Sequence, residues 1–396
     1  DLRSCRLLPL VSCTLDSSSR MSSVAAPPLP TDLPAPYVAG GCPQFSPQSR
    51  SETTGWVPLR VSAKSSTEDL EVAFRSASKD GILILEDLPR IPPFHEVDSV
   101  FRTLQQDPSL IARANTAYNK NLVFKDSFAA GRGGASVDMK RVIDLSPARI
   151  NTIHSAEPTL TTDIGSDLTS ALAFFEETVR TVTPKVLSAL GGVIGAPFSD
   201  DEVRYNYRLV DYYERPAVTH DASATSGSTE PPRCGAHRDF GPATLIFQDG
   251  VGGLEIHRGG EWVPIAPSVE CVLLFGLCTS WRSNDRVKSV MHRVTNPPGA
   301  GGEVSQRRMS AVLFIGLEES AELKPVVLFE GEKEKYRTAS VADVNPKVRR
   351  KWQVREGTVS EEQAEEEARE AVEFPTQESL IRHLYKLGPT TDEDGW

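Results

Sequence analysis

Five polar side chains with complementary chemistry lie in one stretch of short apolar segments. His237 and Asp239 are two residues apart in AHRDF, His292 follows in SVMHRV, and Arg308 and Ser310 are two apart in RRMS. Residues two apart on a β-strand point to the same face, so each pair would project into a common space. Two imidazoles and one carboxylate can hold Fe(II) on one side and leave its other positions open. We call His237, Asp239 and His292 the metal triad.

A carboxylate site is predicted beside this triad. Arg308 carries a planar, permanently charged fork, and Ser310 adds a hydroxyl on the same strand face. This combination suits a carboxylate group of a ligand. We call Arg308 and Ser310 the carboxylate pair.

Other metal sites have less support in the sequence. His220 lies in a polar, turn-rich insert and His257 precedes an RGG turn, so we expect both to be exposed. The six cysteines include no CxxC pair, which argues against a zinc site. Cysteines this sparse in a chain of 396 residues indicate reduced thiols in an intracellular protein.

Composition restricts the possible partners. The chain has 43 basic and 54 acidic residues, a formal charge of -11, which argues against binding to the nucleic acid backbone. No apolar run approaches the roughly 18 residues that a membrane span needs. We therefore expect a small-molecule substrate, no nucleic acid or membrane partner, and a monomer in the cytoplasm.

The chain organisation predicts a leader followed by one domain. Residues 1–55 are rich in Ser and Pro and show no periodicity, which predicts a disordered leader. The chain opens with Asp1, so the first residues could be translated upstream sequence before Met21; alternatively, 1–55 could be an organellar transit peptide. The predicted domain, 56–396, comprises a helical and strand part (56–200), a β-core (201–320) and a helical part (321–390).

Periodicity predicts the main elements of this domain. Ser65 and Glu68 match a capping box that begins a helix, ILIL predicts a buried strand, and 94–106 predicts a second helix. Apolar residues at helical spacing over 168–190 predict one long helix, kinked near Pro184 and ended by a Gly-Gly pair. From 203 to 317, short strands alternate with turns, which is typical of a sandwich or barrel.

The motifs AHRDF, ATLIFQD, GGLEI, GEWVPI, SNDRVKSVMHRV and RRMS resemble those of a known family. They are similar to the iron/2-oxoglutarate-dependent dioxygenases of the isopenicillin N synthase-like superfamily, most strongly over 204–318 and more loosely over 56–390. The resemblance implies a mainly β fold with flanking helices, whose core is a distorted double-stranded β-helix, or jelly roll, packed by a long helix. It also implies that the metal triad binds Fe(II) and that the carboxylate pair binds 2-oxoglutarate.

The resemblance suggests one further cosubstrate residue and leaves the cosubstrate itself open. The family's Asn-x-Tyr element corresponds to Asp211-Tyr212-Tyr213, which makes Tyr213 a candidate for binding 2-oxoglutarate, with Asp in place of the usual Asn. Leu277 after Gly276 departs from the usual Gly-Asp turn, and we expect this to affect a turn more than the chemistry. Isopenicillin N synthase itself closes rings without 2-oxoglutarate, although most relatives with the Arg-x-Ser pair use it.

Residues that could contact the main substrate are suggested by position alone. Tyr205 and Tyr207 alternate on one face of VRYNYRLVDYY and would either line the substrate pocket or pack in the core. Arg132 and Lys140 lie near a glycine-rich loop and would either bind an anionic substrate or be solvated.

Together these features predict an enzyme that oxidises an unactivated C–H bond of a small molecule. The reaction would be hydroxylation, desaturation or oxidative ring closure in specialised metabolite biosynthesis. It would use Fe(II), 2-oxoglutarate and O2, with ascorbate as the reductant in vitro. The alternatives are an isopenicillin N synthase-type oxidase that needs no 2-oxoglutarate and a non-catalytic jelly-roll binding protein.

Overall fold

The computed structural model describes residues 56–118, 123–126, 140–212, 214–216, 233–268, 270–295 and 304–345. The predicted leader (1–55) and most of the predicted C-terminal helical part lie outside these residues. The division into a leader and one domain therefore stays a prediction. None of the helices in the described ranges has both the length and the apolar character needed to cross a bilayer.

The strands of the described ranges fall mainly into two sheets. Their bounds are β1 Leu59–Ser62, β2 Ile82–Glu86, β3 Phe124–Asp126, β4 Lys140–Leu145, β5 Val203–Tyr212, β6 Arg215–Pro216, β7 Cys234–His237, β8 Ala243–Gln248, β9 Leu254–Arg258, β10 Glu261–Pro264, β11 Cys271–Phe275, β12 His292–Val294, β13 Val304–Ser305, β14 Arg308–Leu317, β15 Glu322–Leu323 and β16 Ala339–Ser340. The larger sheet has the order β1-β2-β11-β8-β14-β5-β4-β3, and the smaller has the order β10-β9-β12-β7. All neighbours in them are antiparallel except β1 and β2.

The helices of the described ranges lie mostly before the β-core in the sequence. Their bounds are α1 Thr67–Ala77, α2 Phe94–Gln106, α3 Pro108–Tyr118, α4 Pro147–Ala156, α5 Leu160–Ile164, α6 Ser166–Thr181, α7 Thr183–Ile194 and α8 Leu277–Arg282. The predicted strand ILIL and the helix over 94–106 are confirmed by β2 and α2. The first helix begins one residue later than predicted, because Ser66 Oγ and not Ser65 caps it by accepting from Asp69 N (3.1 Å).

The larger sheet is buried on both faces. One face packs on the helices in a core that includes Leu209, Leu245 and Leu313. The other packs on the smaller sheet in a second core that includes Val210, Ile246 and Val312, and we call this space the barrel interior. Adjacent residues of β5, β8 and β14 thus point to opposite cores, as the period of a strand requires. The predicted mainly β fold with flanking helices is confirmed.

The predicted long helix is two helices. α6 ends at Thr181 and α7 begins at Thr183, so Pro184 lies in the first turn of a new helix, where its missing N–H costs no hydrogen bond. The Gly191-Gly192 pair lies inside α7, and Gly195, with φ of 88°, ends the helix in the left-handed conformation. The predicted kink near Pro184 is therefore a break between two helices, and the predicted end at the Gly-Gly pair was wrong, because α7 continues to Ile194. The predicted scaffold role agrees with the contact of Phe174 of α6 with Phe247 of the sheet (centroids 4.9 Å apart).

The turn after β7 is held by the start of α8. Three backbone N–H groups donate to carbonyls of this turn: Gly276 to Pro242 (3.0 Å), Leu277 to Asp239 (2.8 Å) and Cys278 to Phe240 (2.9 Å). The Leu277 segment, which departs from the family pattern, thus forms a short helix whose backbone fixes the turn that carries Asp239. These contacts use N–H groups that a helix start leaves without intrahelical partners.

This turn is packed so closely that two glycines are required. A Cβ on Gly241 would lie 2.0 Å from the Ile315 carbonyl oxygen, and a Cβ on Gly276 would lie 2.0 Å from the Gly241 carbonyl oxygen. Both neighbours are backbone atoms and cannot rotate away. Any larger residue must therefore displace the turn or the strand beside it.

We expect Gly241→Ala to lower the free energy of unfolding by about 2 kcal/mol, because the added methyl group overlaps the backbone of β14. Urea denaturation followed by circular dichroism measures this. Gly252→Ala is the matched control, since its added Cβ would meet no atom closer than 3.8 Å. Equal stability of the two variants would show that the turn is more adaptable than its packing indicates.

Candidate active site

Two strands of the smaller sheet and the turn after β7 bring the metal triad together. His237 ends β7 and is the antiparallel partner of His292, which begins β12. Asp239 lies just beyond β7, in the turn held by α8. Its Oδ1 lies 3.6 Å from His237 Nε2 and its Oδ2 lies 3.8 Å from His292 Nε2. Within the described ranges, no other group of three His, Cys, Asp or Glu side chains brings ligand atoms this close.

Backbone carbonyls orient the two imidazoles. His237 Nδ1 lies 2.8 Å from the Gly235 oxygen, and His292 Nδ1 lies 3.3 Å from the Val290 oxygen. A carbonyl oxygen only accepts, so each Nδ1 carries the proton and donates it. Each Nε2 is left with its lone pair toward Asp239, which is the tautomer that a metal ligand needs.

Electrostatics favour the deprotonated state of the triad. Burial, followed by the charge of His292, lowers the pKa of His237 well below its ordinary value. Burial raises the pKa of Asp239, but the neighbouring His292 and His237, and more weakly Thr244 and Arg208, outweigh this effect and the net pKa is lowered. Near neutral pH, His237 is therefore a neutral imidazole and Asp239 a carboxylate, the forms that bind a cation.

One buried atom indicates that this donor set requires a cation. Asp239 Oδ2 is buried and has no hydrogen-bond partner in the described part of the chain. An unpaired carboxylate oxygen in such a place is costly unless a positive charge compensates it. Two imidazole nitrogens and a carboxylate oxygen fit Fe(II), so the residues present fit the predicted ion.

The structure brings the carboxylate pair together in the barrel interior. Arg308 begins β14 and is 1% exposed. Its Nη1 donates to Ser310 Oγ (3.4 Å) and its Nη2 donates to Gln248 Oε1 (3.1 Å), while Nε has no partner among the described residues. A guanidinium offers five N–H donors, so most of them remain for a ligand. A buried cation of this kind fits a carboxylate ligand.

The sequence-based prediction missed two neighbours of this pair. Tyr212 is the strand partner of Arg308, and the guanidinium carbon lies 5.0 Å from the centre of its ring. Gln248 is the strand partner of Ser310. Both could have been found by extending the alternation of Arg308 and Ser310 to the antiparallel neighbours. Tyr213, the predicted cosubstrate residue, lies outside the described residues.

A carboxylate lies close to Arg308. Asp249 Oδ2 accepts from Met309 N (2.6 Å) and its Oδ1 accepts from Val251 N (3.1 Å). Burial raises the pKa of Asp249 to about 6, although the charge of Arg308 and these hydrogen bonds oppose the shift. Asp249 is therefore partly protonated slightly below neutral pH.

Tyr205 and Tyr207 lie on the helix-facing side of β5. Tyr207 is 3% exposed and stacks on Phe175 of α6, with ring centroids 4.9 Å apart. The Tyr205 hydroxyl lies 3.1 Å from Thr183 Oγ1. Of the two alternatives, this placement agrees with core packing, and a contact with the substrate stays a prediction. The face of β5 toward the barrel interior carries the even-numbered residues 206–212.

The two predicted cations for an anionic substrate have different outcomes. Lys140 is the strand partner of Tyr212 and its Nζ donates to Cys234 Sγ (3.0 Å), so it lies on the barrel-interior face near the triad. Arg132 lies outside the described residues. Next to Arg308 in the chain, Arg307 pairs with Asp211 and with Asp98 of α2 in a buried network.

Comparisons with known proteins agree with this geometry. Residues 203–317 match the family model of the 2OG-Fe(II) oxygenase superfamily. A proline hydroxylase of Petromyces alliaceus, buaE, is 31% identical over 53% of this chain and 67% of its own length. The 2-oxoglutarate-dependent dioxygenase frbA of Dothideomycetidae sp. (strain 11243) is 34% identical over 33% of this chain and 39% of its own length.

A solved structure shares the fold. The crystal structure of a full-length Neurospora crassa protein in complex with alpha-KG superposes with a TM-score of 0.58, covering 74% of this chain and 95% of that chain at 20% identity. At this identity the likeness concerns the fold alone, and it confirms the predicted jelly roll. The family match favours the 2-oxoglutarate-dependent enzyme over both alternatives. The chain belongs to the 2OG-Fe(II) oxygenase superfamily, and its cofactor and cosubstrates are Fe(II), 2-oxoglutarate and O2.

Proposed function

We propose that this enzyme oxidises an unactivated C–H bond of a small molecule, with Fe(II) held by the metal triad and the distal carboxylate of 2-oxoglutarate held by the carboxylate pair. The observation that carries the proposal is the convergence of two imidazole Nε2 atoms on a buried carboxylate with an unpartnered oxygen. The reaction is hydroxylation, desaturation or oxidative ring closure, a choice that depends on the geometry of the bound substrate.

Each group of residues has a distinct part in this mechanism. Bound Fe(II), with 2-oxoglutarate and O2, supplies an oxidant strong enough to take hydrogen from an unactivated carbon, with succinate and CO2 as products. The carbonyls of Gly235 and Val290 hold the imidazoles in the tautomer in which Nε2 carries no proton. Arg308 orients the cosubstrate, supported by Gln248. The apolar side chains between these groups exclude water.

The relatives support a role in specialised metabolism. One is named a proline hydroxylase and another a 2-oxoglutarate-dependent dioxygenase, and both are fungal. We propose a small-molecule substrate for this chain also, with the protein acting as a monomer in the cytoplasm. The acidic composition supports an absence of nucleic acid partners. An organellar location would depend on residues 1–55, which lie outside the described residues.

We expect His237→Ala to abolish iron binding and turnover, because two remaining ligands cannot hold the ion. Anaerobic calorimetry with Fe(II) measures the binding, and succinate formation from 2-oxoglutarate measures turnover. His257→Ala is the matched control, because His257 packs on Trp262 outside the triad. Retained iron affinity in His237→Ala would remove His237 from the metal site.

We expect Arg308→Ala to raise the 2-oxoglutarate concentration needed for half-maximal rate by roughly 10- to 100-fold, since a charge-assisted hydrogen bond contributes about 1.5–3 kcal/mol. The requirement for the main substrate should change far less. Arg293→Ala serves as the control, because Arg293 pairs with Glu255 away from the barrel interior. An unchanged 2-oxoglutarate requirement would remove Arg308 from the proposed cosubstrate site.

A further inference from the structure

A second polar cluster lies in the barrel interior, separate from the triad and the carboxylate pair. Asp144 of β4 is 2% exposed and accepts hydrogen bonds from Arg208, Asn206 and Lys125, which belong to β5 and β3. We call these four residues the Asp144 cluster. It contains two cations and one carboxylate, so it carries an excess positive charge that the proposed mechanism does not use.

Arg208 is the member of this cluster that can bind a ligand. Its Nε and Nη2 donate to the two carboxylate oxygens of Asp144 (2.6 and 2.9 Å). These two bonds occupy the Nε–H group and one Nη2–H group. Within the described residues, Nη1 donates to no protein atom. The Nη1–H groups and the second Nη2–H form a further fork at the end of the side chain. Asp144 therefore holds Arg208 in one orientation while the end fork remains available.

Arg208 lies on the barrel-interior face of β5, beside Val312 of β14. Its guanidinium carbon lies 4.9 Å from the centre of the Phe314 ring, a side chain that packs on the barrel-interior core. The Arg208 side chain is 31% exposed, so it is less enclosed than that of Arg308. Burial lowers the pKa of Arg208. The charge of Asp144 and, more weakly, those of Cys234 and Asp239 outweigh this effect, so the net pKa is raised above its ordinary value. Arg208 thus stays charged, with Asp239 within electrostatic reach.

Arg208 is too far along the sheet to share the cosubstrate with Arg308. Tyr212, the partner of Arg308, is four residues further along β5, which corresponds to about 13 Å. Between them on β5 the interior face carries Val210, whose neighbours across the sheet are Ser310 and Gln248, and Val312 and Ile246 lie beside Arg208 itself. The barrel interior therefore has two separate cations, and the side chains next to Arg208 on the neighbouring strands, Val312 and Ile246, are apolar.

We infer that Arg208 binds a carboxylate of the main substrate, so that the substrate is a small carboxylic acid whose apolar part lies between Arg208 and the triad. This inference rests on the proposed function, because it assumes that the cosubstrate occupies Arg308. A planar guanidinium matches a carboxylate with two parallel hydrogen bonds, and the carboxylate would also balance the excess positive charge of the Asp144 cluster, which a neutral group would not. Lys140, on the neighbouring strand, adds to the positive potential that an anionic substrate meets.

The test uses full-length protein loaded with Zn(II) and 2-oxoglutarate, which fills Arg308 without turnover. The probes are phenylacetate, hexanoate and N-acetyl-L-proline, each paired with its neutral primary amide, and saturation-transfer NMR with competition measures their binding. We expect at least one acid to bind about tenfold or more tightly than its amide. We expect Arg208→Gln to remove this preference and Arg293→Gln, the matched control, to keep it.

Because Arg208→Gln leaves Asp144 buried with fewer partners, the double variant Asp144→Asn/Arg208→Gln is measured beside it, with thermal melting as the check on folding. Lack of acid preference in the wild type would overturn the inference, as would a preference that persists in a folded Arg208 variant. Retention of Zn(II) and 2-oxoglutarate is measured first in every sample. A wild-type protein that does not retain Zn(II) and 2-oxoglutarate would contradict the proposed function, and this result is distinct from a missing acid preference, which would contradict the role of Arg208.

Discussion

The active site depends on the pairing of β12 with β7, which makes His292 the direct partner of His237. The register of a strand pair determines the face to which every side chain points, and a shift of one residue would send an imidazole away from the barrel interior. Asp239 completes the triad only because α8 holds the turn after β7 through its backbone N–H groups. Main-chain hydrogen bonds therefore position the three ligand residues, and this determines where their side chains meet.

The two faces of the larger sheet carry different kinds of residue: one face packs on the helices, and the other faces the barrel interior, where the metal triad and the carboxylate pair lie. On β5, Tyr207 and Leu209 pack on the helices, whereas Arg208 and Tyr212 point into the barrel interior. The same division holds at the start of β14, where Arg307, just before the strand, joins a buried network with α2 while Arg308 lies in the barrel interior. Neighbouring residues in the chain thus have unrelated functions, because a strand buried on both faces must satisfy two environments.

The sequence predicted the triad, the carboxylate pair and the jelly roll, because the motifs that carry them are short and lie on or next to strands. It did not predict which face of β5 lines the pocket. Both faces of that strand are rich in aromatic and apolar residues, so alternation alone could not distinguish Tyr205 and Tyr207 from their even-numbered neighbours. The break at Val182 was also missed, since apolar spacing continues across two helices that pack on the same core.

Asp249 links the cosubstrate site to the proton concentration. Its pKa of about 6 is set mainly by burial and is held down in part by the charge of Arg308. An anion bound to Arg308 would cancel that charge and raise the affinity of Asp249 for a proton. Binding of the oxo acid would then be accompanied by proton uptake, and by reciprocity mild acidification would tighten it. Under the proposed function, the affinity for 2-oxoglutarate would thus vary with pH through Asp249, a residue outside both the metal triad and the carboxylate pair.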